Sequence, residues 1–271
     1  MKKGLLFILT VCMFFSFTGC YFYKEQAKTE VTSGEKDVTK DLTSEVTVTE
    51  AATTEEVKEE KMLIAIDAGH QAEQNSDLEP IGPGASEQKM KVSSGTEGVS
   101  TGVPEYEVNL EVSKKLKKVL EQRGYEVLMI RNTHNVDLSN RERAQMANEA
   151  NADAFLRIHC NSAESSSVNG ALTLCPDSDN PYCSTQMIVQ SSRLAEIVLD
   201  ELCANTGAKQ LSIIRTSDMS GINWSEVPVA IIEMGFMSNP EEDENLSDEE
   251  YQDLLAEGIA NGVDSYFEER K

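Results

Sequence analysis

Residues 62–70 read MLIAIDAGH, an apolar run of strand length that stops at Ala68-Gly69 and delivers His70. Such a run, closed by a turn signal, reads as a buried strand followed by a tight turn. Outward from it, residues 71–104 are rich in Gly, Ser, Glu and Pro and read as a long loop. Residues 105–123 carry Val108, Val112, Leu116, Val119 and Leu120 at helical spacing, and Gly124 stops that helix. YEVLMIR at 125–131 reads as a strand, 140–150 as a helix of small residues, and 152–159 as a strand running into His159-Cys160-Asn161-Ser162. Further strands are expected at 171–174, 211–215 and 227–233. A long helix at 184–205 turns Ile188, Leu194, Ile197, Val198 and Leu202 inward. The closing helix is expected to start near Ser247, which with Glu250 has the form of a capping box. Tyr251, Leu254, Leu255, Ile259 and Tyr266 make its apolar stripe.

Strands that are nearly continuous apolar runs and alternate with helices predict an α/β fold. The expectation is a single domain with a mostly parallel, about six-stranded sheet covered by helices on both faces. In such sheets the ligand site lies beyond the carboxyl ends of the strands.

Toward the N-terminus the material changes. Lys2 and Lys3 precede an apolar run at 5–17 broken only by Thr10 and Ser16, too short to span a bilayer comfortably and suited to a secretory signal. It ends in Phe17-Thr18-Gly19-Cys20, which resembles a bacterial lipobox with Cys20 as the lipidated residue. Residues 1–20 are thus expected to be a lipoprotein signal peptide, with the protein extracytoplasmic and membrane-anchored, or secreted if Cys20 is not lipidated. Residues 21–60 are rich in Thr, Glu, Lys and Val, with Leu42 the one leucine. Such a segment buries too little apolar surface to offset its ordering entropy, and is read as a disordered tether. Residues 61–271 remain as the folded catalytic domain.

Over 271 residues, 24 Lys+Arg against 47 Asp+Glu give a net charge of −23. A nucleic-acid partner is disfavoured, because phosphate binding needs a basic footprint. Of six cysteines, Cys12 and Cys20 lie in the N-terminal segment. Cys160, Cys175, Cys183 and Cys203 show no Cys-x-x-Cys spacing, so a thiolate metal site is not expected. Cys175 and Cys183 flank a polar loop and are candidates for a disulfide.

The chemistry is read from the three histidines, His70, His134 and His159. His70 and His159 both follow strand ends, where they can share a metal. A hydrolytic zinc site takes three protein ligands and leaves a position open for water. A carboxylate near the same rim would complete the set, and Glu105 and Glu107 at the start of the first helix both qualify. His134 is the weaker candidate. Such a hydrolase also needs a general base. Glu233 ends the apolar strand VPVAIIE, where desolvation raises a carboxyl's pKa; it is a candidate base or a structural partner of an arginine.

IAIDAGH, PEYEVNLEVSKKL, YEVLMIRNT, NRERAQMANEANADAFLRIHCNS and VPVAIIEMGFMSNP follow one another in this order. Together they resemble the zinc-dependent N-acetylmuramoyl-L-alanine amidases of bacterial cell walls, over about residues 62–268. The resemblance implies one zinc ion held by His70, Glu105 and His159. Glu105 is chosen over Glu107 because Val108-Asn109-Leu110 sets the register of the family's motif. It implies Glu233 as catalytic base and peptidoglycan as substrate, cut at the amide between N-acetylmuramic acid and L-alanine. Arg157 and Cys160 depart from the Ser and Ala common at their positions. Arg215, and with less basis Asn161 and Asn223, are candidates to contact the substrate. The chain is expected to act as a monomer. Alternatives are a catalytically idle wall-binding protein on the same fold, or a zinc peptidase cutting within the stem peptide.

Overall fold

The computed structural model describes residues 61–270. The expected signal peptide, Cys20 and the expected tether lie outside the described residues. The first half of the chain forms β1 (Leu63–Ala68), β2 (Asn75–Pro80), β3 (Gln88–Val92), α1 (Glu105–Gln122), β4 (Glu126–Met129), α2 (Asn140–Glu149) and β5 (Ala154–Asn161). The second half forms β6 (Ala171–Pro176), α3 (Thr185–Thr206), β7 (Gln210–Thr216), α4 (Ser220–Asn223), β8 (Val229–Phe236), α5 (Pro240–Leu246) and α6 (Glu249–Glu268).

Six strands make one sheet in the order β4-β1-β5-β8-β6-β7. All neighbours are parallel except β6 and β8. The two-residue period of each strand divides its side chains between two cores. Ile64, Ile66, Leu156, Ile158, Ala230 and Ile232 face α1, α3 and α6. Ala65, Phe155, Leu172 and Ile231 face the other way, onto Ala144 of α2 and Ile222 of α4. Fully burying one Leu or Ile side chain contributes roughly 1.5–3 kcal/mol, so two such layers hold the strand ends firmly.

Four local expectations are corrected. Residues 71–104 are not all loop, since β2 and β3 pair as an antiparallel hairpin. Their sequences, NSDLEP and QKMKV, are charged and show no clean apolar alternation. Distant partners hold the hairpin instead: the Trp224 indole N–H donates to the Pro80 carbonyl at 2.8 Å, and the Arg141 amide to Glu79 Oε1 at 3.0 Å. At the last helix, Asp248 and not Ser247 is the cap, its side chain accepting from the Tyr251 amide. Ser247 instead ends the short helix α5, and its hydroxyl has no partner. The reciprocal capping box is at Ser139 and Glu142, opening α2. Leu254 is 43% exposed and so lies outside the α6 stripe. Cys175 and Cys183 are free, as are Cys160 and Cys203.

Candidate metal centre

The carboxyl ends of β1 and β5 bring two histidines to one place. The turn after β1 holds His70 with φ of 59°, a left-handed conformation costly for a residue with a Cβ. Two buried arginines sustain it. Arg131 donates to the carbonyls of Ala68 at 2.7 Å and of Gly69 and Thr133 at 3.1 Å. Arg143 donates to the His70 carbonyl at 3.0 Å. The His70 Nδ1–H donates to the Ser93 carbonyl at 2.9 Å, which turns Nε2 toward Glu105. Ordering of a ring by its far nitrogen is what a metal-ligating histidine needs.

Glu105 opens α1 and lies between the histidines. Its Oε2 is 3.2 Å from His70 Nε2, and its Oε1 is 3.2 Å from His159 Nδ1. The amides of Thr96 and Cys160 each donate to it at 3.0 Å, and the Asn109 side chain at 3.1 Å. Burial alone would raise this carboxyl's pKa, but the hydrogen bonds and charges of His159 and His70 hold it well below the ordinary range. For His159, burial pushes the pKa down to about 4, against the opposing pull of Glu105. It is therefore a neutral imidazole at neutral pH, the form that ligates metals.

The three side chains suit a metal ion. Their ligand atoms lie within 4.8 Å of one another. Donors about 2.0–2.2 Å from a tetrahedral zinc lie roughly 3.3–3.5 Å apart, close to the two 3.2 Å separations here. The His159 Nε2 is buried with no partner. Glycines shape the cradle: a Cβ on Gly69 would overlap the His159 ring, and one on Gly95 would come 2.6 Å from Glu105 Oε2.

β8 runs beside β5, in a register that pairs His159 with Glu233. Glu233 shares a cavity of about 230 Å³ with His70, His159, Asn140 and Arg157. Its Oε2 is buried and receives no hydrogen bond. Burial raises its pKa to about 8, with the negative charge of Glu105 adding and Arg157 opposing.

The structure does not bring the remaining candidates to this cavity. Glu107 accepts from the Tyr106 hydroxyl at 3.2 Å and stays outside the trio. His134 stacks edge-on against Tyr106, 5.4 Å between centroids. Arg215 is exposed on β7 and donates to the Ser192 hydroxyl at 2.6 Å. Asn161 accepts from the Ser162 amide at 2.7 Å. Asn223 is buried and ties the Ile81 and Ser217 carbonyls together at 3.1 and 2.8 Å, a structural clamp.

Residue-by-residue reading missed the support beneath the site. Asp67 is fully buried and takes Arg143 at 2.7 Å and Arg157 at 3.0 Å. The signal was present, since an Asp in MLIAID and an Arg in AFLRIH are opposite charges inside apolar strands. Asp243 was not foreseeable. It accepts from the amides of Ser100 and Thr101 at 2.7 and 2.8 Å, fastening the loop that leads into Glu105.

A family model described as N-acetylmuramoyl-L-alanine amidase matches residues 64–265. The curated N-acetylmuramoyl-L-alanine amidase LytC of Bacillus subtilis (strain 168) is 33% identical over 169 residues, 62% of this chain and 32% of the relative. The chain thus spans about a third of that relative's length. Among solved structures, N-acetylmuramoyl-L-alanine amidase from Clostridium difficile 630 superposes with a TM-score of 0.64 at 26% identity, over 78% of this chain and 99% of that one. The amidase Ami1 from Mycobacterium smegmatis shares the fold, with a TM-score of 0.68 at 24% identity, over 77% of this chain and 97% of that one.

Proposed function

The chain belongs to the N-acetylmuramoyl-L-alanine amidase family, and from that premise we propose that it hydrolyses the amide between N-acetylmuramic acid and L-alanine in peptidoglycan. The observation that carries this reading is the convergence of His70, Glu105 and His159 beside an unpartnered Glu233. His70, Glu105 and His159 would hold one zinc ion, which supplies a Lewis acid that acidifies water and polarises the amide carbonyl.

The protein's own groups do the rest. Glu105, held by backbone amides on both sides, keeps the two imidazoles aimed at a common point. Glu233 accepts a proton from the attacking water at Oε2 and returns it to the departing nitrogen of L-alanine. A pKa near neutrality suits both halves of that task. Burial keeps competing donors away from the carboxylate.

The test is mass spectrometry of purified peptidoglycan after digestion, with and without chelator. The expected product is a stem peptide with a free L-alanine amino terminus, absent when chelator is present. Wall binding without release would indicate an idle binding protein, and a new terminus inside the stem would indicate a peptidase. We also propose that Cys20 carries a lipid that keeps the domain at the outer face of the membrane. Its support is the motif Phe17-Thr18-Gly19-Cys20 after a short apolar run. No helix among the described residues is long and apolar enough to cross a membrane. Wild-type protein should take up labelled fatty acid, and Cys20→Ser should not.

A further inference from the structure

Arg157 stands out among the cavity residues because it is a cation that is 3% exposed. Two of its nitrogens are committed: Nε donates to Asp67 at 3.0 Å, and Nη2 donates to the Asn140 side-chain oxygen at 2.7 Å. Asn140 is itself fixed by donating to the Lys91 carbonyl at 2.9 Å. The guanidinium plane is therefore set before any ligand arrives. Its third nitrogen, Nη1, has no acceptor among the described residues, and a Cβ on Gly221, another residue of the cavity wall, would collide with it.

Charge points the same way. Asp67 is one carboxylate shared by two buried guanidiniums, Arg143 and Arg157. The cluster thus keeps a surplus positive charge at the cavity floor. Glu233 attracts Arg157 across the cavity but makes no ion pair or hydrogen bond with it, and Glu233 Oε2 is without a donor. Buried charges are ordinarily paired, so a cation left over beside an open cavity is a site for an anion. An arginine is suited to a carboxylate because its planar N–H donors match the two oxygens.

We propose that Arg157 is the carboxylate receptor of this cavity and selects substrates with a free carboxylate on the peptide side of the cut amide. The inference rests on the amidase reading above. Glu233 and Arg157 line the same cavity, so with the amide nitrogen at Glu233 the stem residue after L-alanine is the one within reach of Arg157, and a D-glutamate α-carboxylate is accepted while its carboxamide counterpart is disfavoured. The specificity arises because the amide keeps a carbonyl acceptor but carries no negative charge to pair with the guanidinium.

The test compares two synthetic muramoyl peptides with the zinc-loaded full chain, one ending L-alanyl-D-glutamate with a free α-carboxylate, the other with that group amidated. Wild type should prefer the carboxylate by roughly 10- to 100-fold in kcat/KM, the range of a charge-assisted hydrogen bond. Arg157→Gln should bring the ratio close to one. The ratio is taken within one preparation, so partial loss of folded protein cancels. Gly221→Ala, whose new methyl would displace the guanidinium from the other side, should also compress it. If Arg157→Gln does not fold, Arg157→Lys and Gly221→Ala carry the comparison. A wild-type ratio near one, or a ratio unchanged in the variants, overturns the proposal while leaving the amidase intact. Failure of wild type to free L-alanine from either peptide or from whole peptidoglycan would overturn the amidase reading itself, and this inference with it.

Discussion

Asp67, fully buried, and Glu233, half-buried with its Oε2 out of solvent, are carboxylates on the same sheet, and they are treated in opposite ways. Asp67 receives two guanidiniums, and although burial would raise its pKa, Arg143 and Arg157 hold it well below the ordinary range. Glu233 is given no donor at Oε2, and burial pushes its pKa up to about 8. A satisfied buried charge is scaffold, because it has no capacity left for a ligand. An unsatisfied one costs stability and is kept where chemistry needs it. The protein applies this rule across β1, β5 and β8, with Arg157 bridging the two regimes.

The largest effect should come from removing the ligands that both regions serve. His70→Ala and His159→Ala are each expected to lose bound metal and activity together, and elemental analysis showing full metal in both would remove the ligand assignment. Glu105→Gln should weaken metal binding, whereas Glu107→Gln, which lies outside the trio, should retain it. Next comes Glu233→Gln, which keeps the shape and deletes the proposed proton acceptor. Turnover should fall roughly 100- to 10,000-fold with metal retained. Near-normal turnover would return Glu233 to the structural class and erase the contrast with Asp67.

Asp67→Ala should do the reverse, acting first on folding. It strands two buried arginines, and breaking such a pair costs about 3–5 kcal/mol, measurable as a lower urea midpoint. The pH dependence of metal-free protein should separate the two carboxylates. Asp67 has a depressed folded pKa, so its contribution is present above the unfolded value of 3.8 and is lost on acidification. Glu233 has a raised one, so its contribution is complete below 4.5 and is lost as the pH rises through about 8. Glu233→Gln should flatten the fall between about pH 4.5 and 8 alone. A stability curve with an unchanged slope in that range would show that Glu233 is not the group being ionised there. The smallest effect concerns a cap. Asp248→Ala should cost about 1 kcal/mol and Ser247→Ala less than about 0.5, and the opposite order would restore Ser247 as the cap of α6.

Much of the architecture was readable because its causes are local. Val108, Leu116 and Leu120 define a helix face by spacing alone, and all three are buried. MLIAID and VPVAIIE have strand length and apolar content, and each pairs parallel with β5. The hairpin of β2 and β3 was not readable, because Asn75–Pro80 carries no apolar period and is held by Trp224 and Arg141 from far along the chain. The cap at α6 failed for a related reason. Ser247 and Asp248 both qualify locally, and the intervening helix α5, begun at Pro240, consumed Ser247.

The sequence by itself determined which groups could do chemistry: two histidines and a glutamate at strand ends, where an apolar run meets a turn. The family's motif order chose Glu105 over Glu107. Tertiary structure decided what those groups experience. Glu105 is held between two imidazoles by the amides of Thr96 and Cys160, Arg215 is drawn away to Ser192, and Arg157 is left with an idle donor at the cavity floor. Spacing along a chain fixes the direction of a side chain relative to its own helix or strand. Which donors, charges and water it meets depends on other segments packed against it, here brought from as far as 144 residues away, as in the bond from Trp224 to Pro80.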